Sequence, residues 1–208
     1  AAGVHVTLPT NVGPTGRAAF SKGFLDTARD RARHNVDALR PAVEDGWSVV
    51  FVEPSDVAMF HDEYADLLDG DAVLTVGANA YGVFEFLDTY GLDEALPIDA
   101  MGTSLTYHGH CNQKALNEAG HVAAVLERLG FVVDFLDSGC CGMAGSFGYE
   151  AEHYDLSQAI GRILFRQVDE SPGERVVAPG ASCRTQLGQH LGDQPPHPIE
   201  VVAESLGS

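Results

Sequence analysis

Phe131-Val132-Val133-Asp134-Phe135-Leu136-Asp137-Ser138-Gly139-Cys140-Cys141-Gly142 is the stretch whose reading decides the fold. Its first half is an apolar run of strand length, and its second half is a turn bracketed by two glycines. The pattern after it, over residues 149–168, has helical spacing. Strand, glycine turn and helix form the unit from which parallel sheets with helical crossovers are built. The vicinal thiols need a separate explanation, because adjacent cysteines rarely bond to each other without straining the peptide between them. Cys111 and Cys183, the other two cysteines of the chain, flank the pair at a distance.

The same alternation extends outward in both directions. Upstream, residues 105–108 read as a strand ending at His108-Gly109-His110-Cys111, followed by a helix over 113–129. Downstream, 175–178 read as a strand entering the turn Pro179-Gly180-Ala181-Ser182-Cys183, with helices expected over 184–191 and 199–206. The N-terminal half reads as a strand at 4–8, then an amphipathic helix over 21–43 from the spacing of Phe24, Ala28, Ala32, Val36 and Leu39. A buried strand is expected at 47–52, a helix capped by Ser55 and running to 68, a short strand at 73–76 and a helix over 81–90. Residues 92–101 read as a joint. All four cysteines fall just after predicted strands, where parallel sheets bind ligands.

The two halves correspond at an offset of about 126 residues, as expected of an internal repeat. Pro14-Thr15-Gly16 matches Cys140-Cys141-Gly142, Gly23 matches Gly148, and Val49-Val50 followed by Ser55-Asp56 matches Val176-Val177 followed by Ser182-Cys183. A counterpart of Cys111 would precede Ala1. The expected fold class is therefore α/β, with two pseudo-repeated βα lobes, their parallel sheets flanked by helices. Residues 1–101 are expected to be a first repeat, truncated at its start and lacking cysteines, and 102–208 a second repeat carrying all four.

Acidic residues number 30 against 12 basic ones, for a formal net charge of −18, and only Lys22 and Lys114 are lysines. Self-repulsion on that scale is tolerable where salt shortens the Debye length to about 3 Å near 1 M, so a halophilic cytoplasm is the expected setting. The charge also argues against binding nucleic acid or an anionic membrane surface directly. No apolar run approaches the roughly 20 residues of a membrane span, and no signal peptide is evident. The opening Ala1-Ala2-Gly3, without a methionine, reads as a piece processed or excised from something longer.

Four cysteines, each in a turn bearing Gly, Ser or His after a strand, point to thiolates converging on zinc or an iron–sulfur cluster. The alternatives are small buried core residues and structural disulfides, the latter disfavoured in a reducing compartment. Gly139 and Gly142 let the backbone turn sharply beside a bulky ligand, and helix-start amides favour thiolates. His108 and His110 are candidates for outer-shell donors or for ligands in a mixed zinc site. Metal-free thiol–disulfide chemistry at Cys140–Cys141 ranks last, since no activating lysine or arginine lies near the pair in sequence.

The Cys-Cys-Gly signature at 140–142, the single Cys111 before it and Ser182-Cys183 after it resemble the cysteine-rich CCG domain. That family includes one of the subunits of heterodisulfide reductase, the iron–sulfur subunits of glycolate oxidase and lactate-utilisation systems, and one of the subunits of anaerobic glycerol-3-phosphate dehydrogenase. Glu53-Pro54-Ser55-Asp56 and His197-Pro198-Ile199-Glu200 resemble its later segments, and the likeness is greatest to the C-terminal region of a haloarchaeal fused FAD-linked iron–sulfur oxidase. The resemblance departs where the motif should close as Cys-x-x-Cys: here Cys183-Arg184-Thr185 is followed by Gln186. Four thiolates suit one [4Fe–4S] cluster or a Cys₄ zinc site better than paired five-cysteine clusters.

The resemblance implies an electron-transfer module, not itself catalytic, of a flavoprotein oxidoreductase acting on lactate, glycolate or glycerol 3-phosphate. Cys111, Cys140, Cys141 and Cys183 would hold the metal. FAD is expected on a segment or partner outside this chain, since no strand-linked G-x-G-x-x-G is present. Expected partners are a flavin-binding dehydrogenase domain, a ferredoxin-type cluster domain and a quinone or other acceptor. The expected location is cytoplasmic, reaching the inner face of the membrane only through partners. The alternative keeps the fold and assigns zinc in a structural, docking domain.

Overall fold

The computed structural model describes residues 2–98, 100 and 102–206. Asp99 and Met101, both in the expected joint, lie outside them. The contacts divide the chain into two compact units, Val4–Val83 and Phe84 onward with the N-terminal residues up to Gly3. Among the described residues no helix is long and apolar enough to cross a membrane.

The first unit contains α1 (Arg17–Ser21), α2 (Leu25–Glu44), β1 (Val49–Phe51), α3 (Pro54–Ala58), α4 (Tyr64–Leu67), α5 (Asp71–Ala78) and β2 (Ala80–Gly82). A π-helical stretch, Met59–Glu63, joins α3 to α4. β1 and β2 pair in parallel, with Val50 opposite Tyr81. Ala28, Ala32, Val36, Leu39 and Val43 form the buried stripe of α2 and pack with Met59, Phe60, Tyr64, Val73 and Val76. The amphipathic helix read from the sequence is thus present, beginning after Phe24, which stays exposed.

Several local expectations in this unit differ from the structure. Residues 4–8 form no strand, and Val6 and Leu8 are 76% and 85% exposed. The strand at 47–52 shortens to β1 and is only half-buried, with Trp47, Val50 and Val52 exposed. Ser55 is not the cap: Glu53 holds that position and its carboxylate accepts from the Ser55 amide, while Pro54 fills the first helical position, where no amide is needed. The 73–76 strand is helix α5. A four-residue apolar run has no periodicity of its own, and here Val73, Val76 and Gly77 form one buried helical face. Gly77 has to lack a side chain, because a Cβ there would overlap the Phe60 carbonyl. The strand that pairs with β1 comes later, at Ala80–Gly82, inside the segment read as helix 81–90.

The second unit contains α6 (Val83–Thr89), β3 (Ser104–Tyr107), α7 (Cys111–Ala115), α8 (Ala119–Arg128), β4 (Val132–Phe135), α9 (Tyr154–Glu170), β5 (Arg175–Val177), α10 (Ala181–Leu191) and α11 (Pro198–Ser205). Its sheet is parallel in the order β4-β3-β5, with Thr106 opposite both Asp134 and Val176. The middle strand has Leu105, Thr106 and Tyr107 at 0% exposure. Burying a leucine such as Leu105 contributes about 1.5–3 kcal/mol. The expected helix over 113–129 is two helices, parted at Asn117, whose φ of 61° lies in the left-handed region that asparagine tolerates. The helix expected from 149 begins at Tyr154, after two 3-10 turns at Phe147–Tyr149 and Ala151–His153. Three parallel strands ending on one side of the sheet bring the turns after β3, β4 and β5 together.

Candidate metal centre

Each of those three turns carries cysteine. After β3, the His108 amide donates to Val177 O at 3.1 Å, extending the ladder by one residue. His110 then caps α7: its Nδ1 accepts from the Asn112 amide at 3.1 Å, while Gln113 Oε1 accepts from the His110 amide at 3.3 Å. This reciprocal box fixes Cys111 as the first residue of α7. After β5, Gly180 precedes α10 and places Cys183 in that helix's first turn, where the helix dipole favours a thiolate. Gly180 also makes room for His110, since a Cβ there would run into the imidazole ring.

The turn after β4 holds the vicinal pair. Gly142 has φ 98°, and a Cβ there would overlap the Ser157 carbonyl oxygen of α9 and lie 3.1 Å from Gln186 Nε2. Only glycine suits that position. Gly139 differs: its φ is not positive and nothing lies within 4 Å of where a Cβ would stand. The Gly142 amide donates to Cys140 Sγ at 3.3 Å.

All four cysteines are free thiols, and the structure brings them together. Cys111 interacts with Cys140, Cys140 with Cys141, and Cys141 with Cys183, so the four side chains form a relay of neighbouring sulfurs. The proton affinities alternate along it. The neighbouring Cys140 raises the Cys111 thiol, aided by partial desolvation; the neighbouring Cys111 and Cys141 lower Cys140. Cys141 is raised by Cys140 and Cys183 beside it, and Cys183 is lowered by Cys141 and then, against the cost of burial, by His108. Exposure is graded: Cys141 and Cys183 are buried in the core with Leu136, Leu164 and Leu187, Cys140 is half-buried and Cys111 exposed. No three of these four described sulfurs lie mutually within 4.8 Å. A tetrahedral four-thiolate zinc site would need all its sulfurs about 3.8 Å apart, so the relay is more open than such a site.

His108 is buried and lies alongside the sulfurs. Its Nδ1 pairs with Ser138 Oγ at 2.7 Å, and its Nε2 is buried without a geometrically proper hydrogen bond while the ring acts on Cys183. An orphaned ring nitrogen beside a sulfur suits a donor to a metal-bound thiolate. His110 is a helix cap. Three more residues belong to the site that the sequence reading left out. Lys114 Nζ donates to Ser138 O and sits over the Phe135 ring at 5.8 Å, so a cation does stand near the sulfurs despite its sequence distance from Cys140. Its scarcity, one of two lysines, was the available signal. Met143 packs beside the pair in the core. Gln186, at the place where the motif would close with cysteine, is fully buried. Its amide nitrogen donates to Ser157 O and Oγ at 3.4 and 3.3 Å, and its oxygen accepts from Gln158 at 3.3 Å. Gln186 braces α10 against α9 and has no free donor atom for a metal.

A parallel sheet with thiols gathered beyond its strand ends is the frame of a cysteine-rich domain, and residues 105–188 match the family described as Cysteine-rich domain, CCG. Similarity to individual proteins runs along almost the whole chain. It is 30% identical over 216 residues to one of the subunits of Anaerobic glycerol-3-phosphate dehydrogenase of Escherichia coli (strain K12), covering 99% of this chain and 52% of that protein. It is 31% identical over 208 residues to D-2-hydroxyglutarate dehydrogenase of the same strain, covering 97% and 19%. It is 28% identical over 211 residues to the Glycolate oxidase iron-sulfur subunit of that strain, covering 98% and 51%. The chain thus spans about half the length of the first and third relatives and about a fifth of the second.

Proposed function

We propose that this chain is the iron–sulfur electron-transfer portion of a flavoprotein oxidoreductase, with Cys111, Cys140, Cys141 and Cys183 as the ligands of one [4Fe–4S] cluster. The observation that carries this reading is the convergence of four neighbouring sulfurs at the carboxyl ends of three parallel strands, in a segment that matches the CCG family, within a chain similar to an iron–sulfur subunit. A bound cluster supplies one-electron exchange. The residues of the chain divide the remaining work. Cys141 and Cys183 anchor from the core, and Cys111 and Cys140 form the open side through which a partner is met. Gly142 presents its amide to a ligating sulfur, and His108 presents an otherwise idle ring nitrogen to Cys183. Gly139 leaves open space at the rim, consistent with room for a bulky group.

By analogy with the relatives, electrons originate from a hydroxylated substrate of the glycerol 3-phosphate, 2-hydroxyglutarate or glycolate type. The substrate is oxidised at FAD on a partner or adjoining segment, and the electrons leave through a ferredoxin-type cluster domain toward a quinone or similar acceptor. The net charge of −18 supports work in a salty cytoplasm. The two-copy organisation is part of the same proposal. Gly16 at φ 92° parallels Gly142 at 98°, and Thr15 Oγ1 donates to Asp56 where Cys141 neighbours Cys183.

Zinc in a structural role is the competing assignment, and the openness of the relay favours the cluster over it. The deciding experiment is anaerobic reconstitution with ferrous iron and sulfide. The reading expects about four irons per chain and visible cluster absorption, lost on substituting any one of the four cysteines by serine. A chain that retains one tight zinc and takes up no iron and sulfide refutes it.

A further inference from the structure

The second unit brings only one lysine to the sulfur relay, in a chain where acids outnumber bases by 30 to 12. Lys114 lies one turn along α7 from Cys111. Its ammonium is held in place twice, by donation to the carbonyl of Ser138, two residues before Cys140, and by the face of Phe135 at the end of β4. Its stem packs on Gly109, where a Cβ would come within 3.2 Å of Lys114 Cε. The charge acts on the Asp137 carboxylate and on both Cys183 and Cys111, the two ends of the relay. A side chain with four rotatable bonds gives up most of its rotamer freedom when fixed this way. Pinning one carbonyl at the rim of a turn is a small return for that cost, whereas a fixed cation beside four thiolates acts on every electron that arrives there.

We propose that Lys114 tunes the centre: its fixed ammonium stabilises the added negative charge of the reduced state and so raises the reduction potential of a cluster held by the four cysteines. The inference rests on the electron-transfer reading above. Lys114 is a positioning and tuning residue and no ligand. Even at about 12 Å, a unit charge at an effective dielectric near 20 changes the equilibrium constant for reduction about tenfold.

The test is a redox titration of the anaerobically reconstituted full chain, comparing wild type, Lys114→Gln and Lys114→Arg, with iron and sulfide measured on each. Lys114→Gln should hold the same iron and shift to lower potential, while Lys114→Arg, which keeps the charge, should restore most of the wild-type value. Where Lys114→Gln fails to fold or to load, the loaded Lys22→Arg protein, in which Lys114 is the only lysine, is acetylated. Its potential should fall, while acetylated Lys114→Arg should not move. Equal potentials in loaded wild type and Lys114→Gln, or no response to acetylation, overturn the inference and leave the electron-transfer reading standing. A wild-type chain that takes up no iron and sulfide removes that reading, and this inference with it.

Discussion

Gly139 and Gly142 bracket the vicinal cysteines and Gly16 sits at the proposed counterpart turn, and the structure assigns each a different cost on conversion to alanine. At Gly142, φ is 98°, and the added methyl would overlap the Ser157 carbonyl oxygen and lie 3.0 Å from its carbon. The left-handed backbone costs an L-residue about 1–2 kcal/mol, and the forced shift of α9 adds about 1–3 kcal/mol of overpacking. Gly142→Ala should therefore cost about 2–5 kcal/mol, a large part of a typical total of about 5–15 kcal/mol. Gly16 has nearly the same φ, 92°, but its methyl would meet Ala28 and Arg31 at 3.4 Å, an ordinary contact. Gly16→Ala should cost only the backbone share, about 1–2 kcal/mol. Gly139, with open space and no positive φ, should tolerate alanine within about 0.5 kcal/mol. Urea unfolding followed by the single tryptophan, Trp47, reads the first unit; hydrogen exchange at the β3 amides reads the second. The reasoning fails if Gly142→Ala costs no more than Gly16→Ala, or if Gly139→Ala costs as much as either.

Two carboxylates away from the sulfurs should give pH dependences of opposite sign. Burial raises Asp56, only partly opposed by the Thr15 hydrogen bond, so its folded value lies above its unfolded one. Its contribution is then fully present below about 3.9 and lost as pH rises through the raised folded value. Asp56→Asn keeps an acceptor for Thr15 and should gain on wild type in Trp47-monitored stability as pH rises through that window; a gap that stays flat with pH would count against it. Asp88 is lowered, chiefly by the hydrogen bond from His121 and then by Arg128, and contributes stability above about 3.9 that is lost as pH falls through its folded value. Asp88→Asn should therefore have a lower melting temperature than wild type near neutrality and a shallower fall in acid, and identical acid limbs would contradict this.

What was legible in the sequence followed from patterns that a single local cause produces. The α2 stripe was readable because its apolar residues recur at helical spacing, and β3, β4 and β5 because each is an apolar run ended by a turn. The cysteine turns were readable because parallel strands deliver their loops to one side, whatever the intervening helices do. The failures share a different cause, tertiary context overriding a short segment. Val73–Val76 is helical because Gly77 can approach the Phe60 carbonyl, and 4–8 stays unpaired although its residues favour strands. Lys114 and Gln186 were not legible as site residues, because their roles depend on a carbonyl and a helix contributed by distant parts of the chain. The short departure Cys183-Arg184-Thr185-Gln186 showed that a ligand position had been given up, but not that a fully hydrogen-bonded amide had replaced it.

The proposed pair of copies closes one backbone frame in two chemistries. In the first, the Thr15 hydroxyl donates to Asp56, the Tyr64 hydroxyl donates to Thr15 O at 2.8 Å, and Asn35 donates to Tyr64 and Pro14 and accepts from Gly13. Arg17 pairs with Glu63 at 2.5 Å and reaches Ser55 O at 3.1 Å. Oxygen and nitrogen are strong donors and acceptors, so this turn is closed by the protein alone. In the second, the same turns meet through S–H and S⁻, which are weak hydrogen-bonding partners, and a buried thiolate is costly unless something neutralises it. The frame holds, but its polar demand is met only in part: His108 Nε2 stays idle, and two sulfurs are held toward the thiolate form by the two others. Its remaining electrostatic demand is one that a metal centre would satisfy, and that is the physical support for proposing these four cysteines as ligands rather than as small core residues that happen to be neighbours.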